Sequence, residues 1–306
     1  MIRPTVYISE PSEIDSKSLS ILRSKYQLIE GDCEFKKNYS QAHSNLMIRT
    51  YTKVDEKAFE VFPNLQNVVR VGVGLDNIDL DICKSKNVKV FNSAGSNANA
   101  VSEYVIGSII FSKRKLHLLC KNDLVSWNRF KFMGSEIKGK QIGLIGFGNI
   151  AQLVYKKLKG FDCEGFYVFD PYISKEAYAA ENIIFTQNID TLIKNSDIVS
   201  IHVPLSDETY HLIDFDSLSS FKRGSVLVNT SRGAVVSEKD VIRAMVEKDI
   251  TYIADVFETE PKVRKSLVKS PNFIGTPHIA SMTKEANFEM VKTAVNNFLE
   301  GRPVNL

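Results

Sequence analysis

Apolar and polar positions alternate along the first hundred residues in a way that predicts strands and helices in turn. Apolar runs of strand length are separated by segments whose apolar positions recur every three or four residues. The predicted strands and helices, in chain order, are 5–9, 17–26, 46–49, 55–62, 68–71, 79–86 and 88–91. Strands that alternate with helices predict a parallel sheet covered by helices, so this region is predicted to be a small α/β domain.

A polar, glycine-bearing break at residues 92–97 ends this region and predicts a hinge. A long apolar helical pattern over 99–119 follows it, and the alternation then resumes. The later predicted strands and helices are 142–145, 150–158, 165–169, 198–203, 226–229, 238–247, 252–256, 272–275 and 283–299. The chain is therefore predicted to be an α/β protein of two Rossmann-like domains with doubly wound parallel sheets.

The segment 140–170 predicts a dinucleotide-binding unit. A buried strand leads into the turn Gly146-Phe147-Gly148, and a helical pattern follows, with Ala151 at the third position of the glycine fingerprint. Gly146 allows a sharp turn, and Gly148 has no Cβ that would block a pyrophosphate at the start of the helix. Any βαβ unit needs a glycine at this turn, so the turn alone is a weak signal.

The surroundings of the glycine turn favour a cofactor over a purely structural turn. The first residues of the helix, Asn149 and Ile150, offer free N–H groups and the positive end of the helix dipole to an anion. The next strand ends at Asp170, 24 residues after Gly146. A carboxylate at that position can accept hydrogen bonds from both ribose hydroxyls and repels a 2′-phosphate. The sequence therefore predicts NAD in preference to NADP.

Composition narrows the class of protein. The chain has 306 residues, of which 43% are hydrophobic and 25% charged, and its net charge is +3. These values favour a globular protein of two domains. Because the basic excess is small and dispersed, we expect a small anionic substrate and no nucleic acid. No apolar run approaches a membrane span and residues 1–10 lack a signal-peptide pattern, so we expect no membrane partner and a cytoplasmic location.

The cysteines give no sign of a disulfide framework or of a metal site. Cys33, Cys83, Cys120 and Cys163 are scattered, without C-x-x-C spacing or nearby histidines. We therefore expect no bound metal and predict that these thiols lie in the hydrophobic core.

Polar motifs follow three of the later predicted strands, at the strand ends where an open α/β sheet binds its ligands. Together they offer Arg232, Glu260 and His278. A guanidinium matches a carboxylate, and a histidine carries protons near neutral pH when a neighbouring carboxylate orients it. Each residue taken singly is better explained by an ordinary structural role, as a loop ion pair, a solvated acid or a turn histidine.

The order of these motifs resembles the D-isomer-specific 2-hydroxyacid dehydrogenase family over nearly the whole chain. The matching words are GLIGFGNIA, VFDPY, HVPLSDET, NTSRG, DVFETEP and TPHIAS. The resemblance implies an NAD-dependent oxidoreductase in which His278 is the acid/base, Glu260 holds it and Arg232 binds the substrate. Formate dehydrogenases of the same superfamily carry glutamine at the position of Glu260, so formate is not the expected substrate.

The resemblance also implies an architecture. Residues 1–95 and 283–306 would form the substrate domain and residues 96–282 the NAD-binding domain, with the active site in the cleft between them. The segment that begins with the long helix from Asn99 usually helps to form a homodimer in this family. Further cofactor-lining residues implied by the match are Val203, Thr230, Ser231 and Asp255.

Within the family, additional words resemble the phosphoglycerate dehydrogenases, which begin serine biosynthesis. They are IRTYTKV, RVGVGLDNID, WNRFKFMGSEIKGK and SMTKEAN. The match implies that Arg49 and Arg70 meet a substrate phosphate and that the backbone at Val73 and Gly74 touches its carboxylate. The alternative is that both arginines are ordinary strand-end residues, and we favour the phosphate. The substrate expected is 3-phospho-D-glycerate.

Two other functions stay open from the sequence. One is a reductase or dehydrogenase for an unphosphorylated acid such as glyoxylate, hydroxypyruvate or lactate, and the other is an NAD(H)-sensing protein like the family's corepressors. Two positions also depart from the family pattern. Asn149 stands where many members have an arginine, and Tyr104 replaces a common histidine on the long helix.

Overall fold

A computed structural model of the chain describes residues 3–15, 17–119, 121–174, 178 and 181–305. Its strands are β1 Thr5–Ile8, β2 Gln27–Glu30, β3 Asn45–Ile48, β4 Asn67–Arg70, β5 Lys89–Phe91, β6 Gln141–Ile145, β7 Gly165–Phe169, β8 Ile183–Phe185, β9 Ile198–Ile201, β10 Val226–Asn229, β11 Thr251–Ala254 and β12 Phe273–Gly275. Its α-helices are α1 Ser20–Lys25, α2 Glu56–Val61, α3 Leu80–Ser85, α4 Ala98–Lys113, α5 Lys121–Ser126, α6 Asn149–Leu158, α7 Ile189–Asn195, α8 Phe215–Ser219, α9 Glu238–Glu247, α10 Lys265–Val268 and α11 Lys284–Leu299.

The chain divides into two compact units, one formed by Met1–Asn97 with Met282–Leu306 and the other by Ala98–Ser281. The first unit contains a parallel sheet of order β2-β1-β3-β4-β5. The apolar stripe of α11 packs on one face of this sheet, with Val291 and Ala294 fully buried beside Val6 and Met47. Burying a valine or methionine side chain in this way stabilises the unit by about 1.5 to 3 kcal/mol.

The second unit contains a parallel sheet of order β12-β11-β10-β9-β6-β7-β8. Read from β8, this is the doubly wound order in which the chain reverses direction between β6 and its neighbour β9. Apolar clusters cover both faces of the sheet, so its central strands are buried throughout. The loops that follow β6 and β9 meet at the reversal, where this fold binds its ligands.

Several sequence predictions need correction against this structure. The helix predicted over 99–119 ends at Lys113, because Lys115 takes a left-handed conformation with φ of +54°. The edge strands β2 and β8 were not predicted, since their partly exposed side chains lack a clear apolar run.

The prediction for the cysteines was only partly right. Cys83 is buried and Cys163 half-buried, but Cys33 is exposed in the loop after β2, so the prediction of a core thiol was wrong for Cys33. Cys120 lies outside the described residues. Within the ranges that the structure covers, every helix is too short or too polar to cross a membrane.

Candidate functional site

The glycine turn after β6 has the geometry that the sequence predicts for it. Gly146 has a φ of +84°, and a Cβ on it would lie 2.8 Å from the carbonyl oxygen of His202 and 2.9 Å from Cγ1 of Val203. Only glycine fits this position without strain, because both the backbone angle and the close approach of the loop after β9 exclude a side chain. Val203 therefore lies directly against the glycine turn.

The start of α6 is open to an anion. Gly148 occupies the N-cap position without a side-chain cap, and a Cβ there would meet no described atom within 4 Å. Gly148 and Asn149 are exposed, and Ile150 is half-buried. The N–H groups of the first turn and the positive end of the helix are thus available to a phosphate group.

Asp170 is fixed beside this turn by two backbone hydrogen bonds. Phe147 N donates to its Oδ2 at 2.7 Å and Tyr172 N donates to its Oδ1 at 2.9 Å. A carboxylate oxygen has two acceptor sites, so each oxygen retains capacity for a ribose hydroxyl. The arrangement fits an NAD molecule whose pyrophosphate lies at the helix terminus.

The loop after β10 adds further polar groups at the same edge of the sheet. Buried Asn229 accepts hydrogen bonds from Ser231 through both its N–H, at 3.0 Å, and its hydroxyl, at 2.9 Å, and donates to the carbonyl of Arg232 at 2.9 Å. Thr230 Oγ1 is buried, and no described residue hydrogen-bonds to it. An unmatched buried hydroxyl is costly, so this oxygen is a candidate contact for a bound ligand.

A close backbone approach brings Arg232 to the loop after β11. A Cβ on Gly233 would overlap the backbone of Phe257, so the two loops touch through a residue without a side chain. Arg232 is half-buried, and its guanidinium Nη1 donates to the carbonyl of Ser231 at 2.7 Å. Its positive charge lowers the pKa of both Glu260 and His278, which places it within electrostatic reach of this pair.

His278 and Glu260 form a direct pair, with His278 Nδ1 2.8 Å from Glu260 Oε2. The hydrogen bond to Glu260 raises the pKa of His278, although partial burial opposes the rise. Burial alone would raise the pKa of Glu260, but the bond with His278, the charge of His278 and the N–H of Phe257 together hold it below its usual value. This is a carboxylate–imidazole pair suited to acid/base chemistry.

The backbone of the His278 turn is held by Asp255, which the sequence analysis assigned to the cofactor-lining loops. Asp255 is 1% exposed, and its carboxylate accepts hydrogen bonds from Ile279 N at 2.8 Å and Ala280 N at 2.7 Å. Its carbonyl accepts from His278 N at 2.8 Å. His278 itself has a left-handed φ of +56°. The carboxylate is thus engaged with the turn of His278 and with Thr276, whose hydroxyl donates at 2.5 Å.

Sequence reasoning missed some residues of this site. His202, next to the glycine turn, is neutral, because burial lowers its pKa to about 3, and its buried Nε2 meets no partner among the described residues. Asn229 and Thr276 organise the loops of Arg232 and His278. Both lie inside the motifs NTSRG and TPHIAS, so the sequence contained a signal for them, but their hydrogen-bond partners became visible only in the folded structure.

In the first unit, the reversal of strand order lies between β1 and β3. Glu10, which is 6% exposed, follows β1, and its carboxylate accepts hydrogen bonds from the backbone N–H groups of Arg49, Tyr51 and, at 3.1 Å, Thr52. The N–H groups at this position are therefore occupied by the chain's own carboxylate.

Arg49 is 4% exposed, and its guanidinium is engaged by neighbours in the first unit. Nη1 donates to the carbonyl of Glu13 and, at 2.6 Å, to the side-chain oxygen of Asn287. Burial lowers the pKa of Arg49, while the charges of Glu13 and Glu10 oppose that change. A substrate phosphate would have to compete with these internal partners.

Arg70 is placed differently. It ends β4 and is half-buried, and its guanidinium lies so close over Gly72 that a Cβ there would overlap it. In the same loop, Val73 and Gly74 are half-buried, and neither of their N–H groups has an acceptor among the residues described. A guanidinium and two backbone donors in one loop can bind an anion, which is the role that the sequence analysis predicted for them.

Comparison with known proteins connects this geometry to a family. Residues 112–280 match the model of the NAD-binding domain of D-isomer specific 2-hydroxyacid dehydrogenases. That span includes the glycine turn, Asp170, Arg232, Glu260 and His278.

Similar proteins and a similar solved structure support the same family. The (S)-sulfolactate dehydrogenase of Chromohalobacter salexigens is 37% identical over 82% of either chain. The D-3-phosphoglycerate dehydrogenase of Methanocaldococcus jannaschii is 33% identical over 85% of this chain, which spans 51% of that protein. The crystal structure of D-lactate dehydrogenase from Aquifex aeolicus, complexed with NAD and lactic acid, has a TM-score of 0.82, 26% identity and coverage of 97% and 96% of the two chains. This protein therefore belongs to the NAD-dependent D-isomer specific 2-hydroxyacid dehydrogenase family.

Proposed function

We propose that this protein oxidises 3-phospho-D-glycerate at C2 to 3-phosphohydroxypyruvate, the reaction that opens serine biosynthesis. The observation that carries the chemistry is the 2.8 Å pair of His278 and Glu260 within electrostatic reach of Arg232. An acid/base pair beside a guanidinium suits a substrate that has a hydroxyl next to a carboxylate.

His278 is the proton carrier in this proposal. When its Nδ1–H donates to Glu260, Nε2 of the neutral ring has a lone pair that can accept the proton of the C2 hydroxyl. Glu260 then stabilises the imidazolium that forms, and Arg232 holds the carboxylate of the substrate. In reduction the same proton returns to the carbonyl oxygen from protonated His278.

NAD, when bound, supplies the hydride acceptor of the reaction. The residues that would hold it are those of the glycine turn and its neighbouring loops: Gly146, Gly148, Asn149, Ile150, Asp170, Val203, Thr230 and Ser231. In our proposal Asp255 contributes to the cofactor site only indirectly. Its carboxylate is already occupied by the hydrogen bonds that fix the His278 turn.

The choice of substrate rests on a second negative charge. Arg70 and the N–H groups of Val73 and Gly74 supply an anion-binding set in the first unit, and Arg49 adds buried positive charge. The resemblance to a named phosphoglycerate dehydrogenase supports a phosphate. The similarity to a named sulfolactate dehydrogenase favours a second candidate, a 2-hydroxy acid with a sulfonate at C3, which offers the same anionic chemistry.

A kinetic panel tests this proposal. Oxidation of 3-phosphoglycerate, sulfolactate, glycerate and lactate, and reduction of hydroxypyruvate and glyoxylate, should show the highest kcat/KM for the phosphorylated acid. A preference for sulfolactate would select the second candidate, and a preference for an acid without a second anionic group would select the reductase alternative. NAD(H) binding without turnover of any member would select the sensing protein.

The His278→Ala variant tests the proton carrier. Its kcat should fall by roughly 10² to 10⁴, the usual contribution of a positioned acid/base, while NAD binding measured by calorimetry stays unchanged. In the wild type, kcat/KM for oxidation should rise with pH through a pKa above histidine's ordinary value, because the ring must be neutral. An active His278→Ala enzyme would place the proton carrier elsewhere.

We also propose that the protein forms a homodimer through the segment that follows α4. Residues 116–119 and 123–133 carry an unusual density of exposed apolar side chains, among them Val125 at 87%, Trp127 at 72% and Phe130 at 77% exposure. Contiguous apolar surface of this kind marks an interaction site. Light scattering after gel filtration should give a dimer for the wild type and a monomer for Trp127→Asp combined with Phe130→Asp. A monomeric wild type would contradict the proposal.

A further inference from the structure

Tyr104 joins the His278 turn from a distant part of the chain. It lies on α4 and is half-buried, and its hydroxyl contacts Thr276 Oγ1 in a hydrogen bond that spans 172 residues. Thr276 in turn donates to Asp255 Oδ1 at 2.5 Å. Asp255 accepts the N–H groups of Ile279 and Ala280, the two residues after His278.

The direction of these hydrogen bonds follows from the number of protons. Thr276 has a single hydroxyl proton, and the carboxylate of Asp255 accepts it. Tyr104 must therefore be the donor to Thr276. Burial raises the pKa of Tyr104, which keeps the phenol protonated and able to donate. Successive bonds of this kind polarise and strengthen one another in a buried site.

The geometry points to Tyr104 as a positioning residue, which acts through Thr276 and Asp255 to hold the turn that presents His278. The turn needs such support because His278 has a left-handed φ of +56°, a conformation that is unfavourable for a residue other than glycine. A misplacement of about 1 Å in a catalytic group can cost two orders of magnitude in rate. The kinetic consequence rests on the proposed role of His278, whereas the support of the turn does not.

The test uses Tyr104→Phe, which removes only the hydroxyl, with Tyr155→Phe as the matched control. Tyr155 also lies on a helix of the second unit, but its hydroxyl pairs with Glu181, away from the Asp255 network. The Tyr104 hydroxyl also hydrogen-bonds with Ser108 on the same helix, but only its bond to Thr276 reaches the turn. For Tyr104→Phe we therefore expect kcat to fall roughly 2- to 12-fold, the worth of the bond to Thr276, with NAD affinity unchanged. Hydrogen exchange at the amides of Ile279 and Ala280 should become faster, and the control should change neither quantity.

Variants of Thr276 sharpen the test. Thr276→Val should lower kcat and speed amide exchange, as Tyr104→Phe does, whereas Thr276→Ser should keep the wild-type kcat and exchange rate. Tyr104→Phe combined with Thr276→Val should lower kcat no further than the more damaging single change, because both residues belong to one series of hydrogen bonds.

Each contrary result is decisive. Unchanged exchange together with a lower kcat would mean that Tyr104 acts directly on a ligand, and it would overturn the inference. Faster exchange with unchanged kcat would mean that the support of the turn does not affect catalysis, and it would also overturn the inference that Tyr104 positions His278. If the wild type turned over no acid, the proposed function would fail, while the exchange measurement would still decide whether Tyr104 holds the turn.

Discussion

The two units are both doubly wound parallel sheets, yet they differ at their strand-reversal points in whether the backbone N–H groups are already bound by a carboxylate of the chain. In the second unit, between β6 and β9, the exposed turn of Gly148 leaves the start of α6 without a side-chain cap. In the first unit, between β1 and β3, N–H groups of the loop after β3 are bound by the buried carboxylate of Glu10. The same architecture thus offers an open anion site in one unit and a filled one in the other.

This difference shows that strand order provides a potential ligand site and that local side chains determine whether the site can bind a ligand. An acidic residue after β1 converts the reversal point of the first unit into a structural element and supplies negative charge near buried Arg49. The groups that we propose to bind an anion in that unit lie instead at the end of β4 and in the loop after it, at Arg70, Val73 and Gly74. A glycine in place of an acid leaves the second unit free to bind a ligand.

The largest expected effect comes from removing the Glu10 carboxylate that binds the N–H groups of the first unit. Glu10→Ala should lower the free energy of unfolding by roughly 3 kcal/mol or more, because three N–H donors lose a charged acceptor, each worth about 1 to 3 kcal/mol. NAD affinity, which depends on the second unit, should be unchanged. Urea unfolding and calorimetry measure the two quantities. Glu60→Gln, an exposed change on α2, serves as the control and should stay within about 0.5 kcal/mol of the wild type.

The next effect separates the two arginines of the first unit. Arg70→Ala should reduce kcat/KM for 3-phosphoglycerate by roughly 10- to 150-fold, the worth of a charge-assisted contact of about 1.5 to 3 kcal/mol. It should barely affect an unphosphorylated acid, whose carboxylate has other partners. Arg49→Ala should mainly lower stability, because its guanidinium bonds to Glu13 and Asn287. Equal loss on both substrates for Arg70→Ala would remove the phosphate assignment.

The smallest effect concerns the cofactor in the open site. Wild-type enzyme should prefer NAD(H), and Asp170→Ala should narrow that preference about tenfold, since it removes ribose contacts and repulsion of a 2′-phosphate together. Asp170→Asn is a matched comparison, because it removes the charge but retains an acceptor for the N–H of Phe147. The measurement is kcat/KM for NAD and NADP with one acid. Equal values for the two cofactors in the wild type would contradict the role of Asp170.

The sequence predicted most of the fold because buried parallel strands are apolar runs and their helices are amphipathic. The runs at 142–145 and 226–229 lie within β6 and β10, and the apolar stripe predicted on the last helix is buried in α11. The end of α4 was missed because a single left-handed residue, Lys115, interrupts a pattern that continues to look helical. The exposed edge strands were missed for want of an apolar pattern.

Local chemistry was therefore determined by the sequence itself: a glycine turn before a helix, an acid at the end of the next strand, and an arginine, a glutamate and a histidine at strand ends. Only the tertiary structure decided which charges find partners. It paired His278 with Glu260, committed Asp255 and Tyr104 to the histidine turn, and buried Arg49 against Glu13 and Asn287. The physical reason is that these contacts join residues far apart in the chain, and hydrogen bonding and burial depend on distances that spacing along the sequence does not contain.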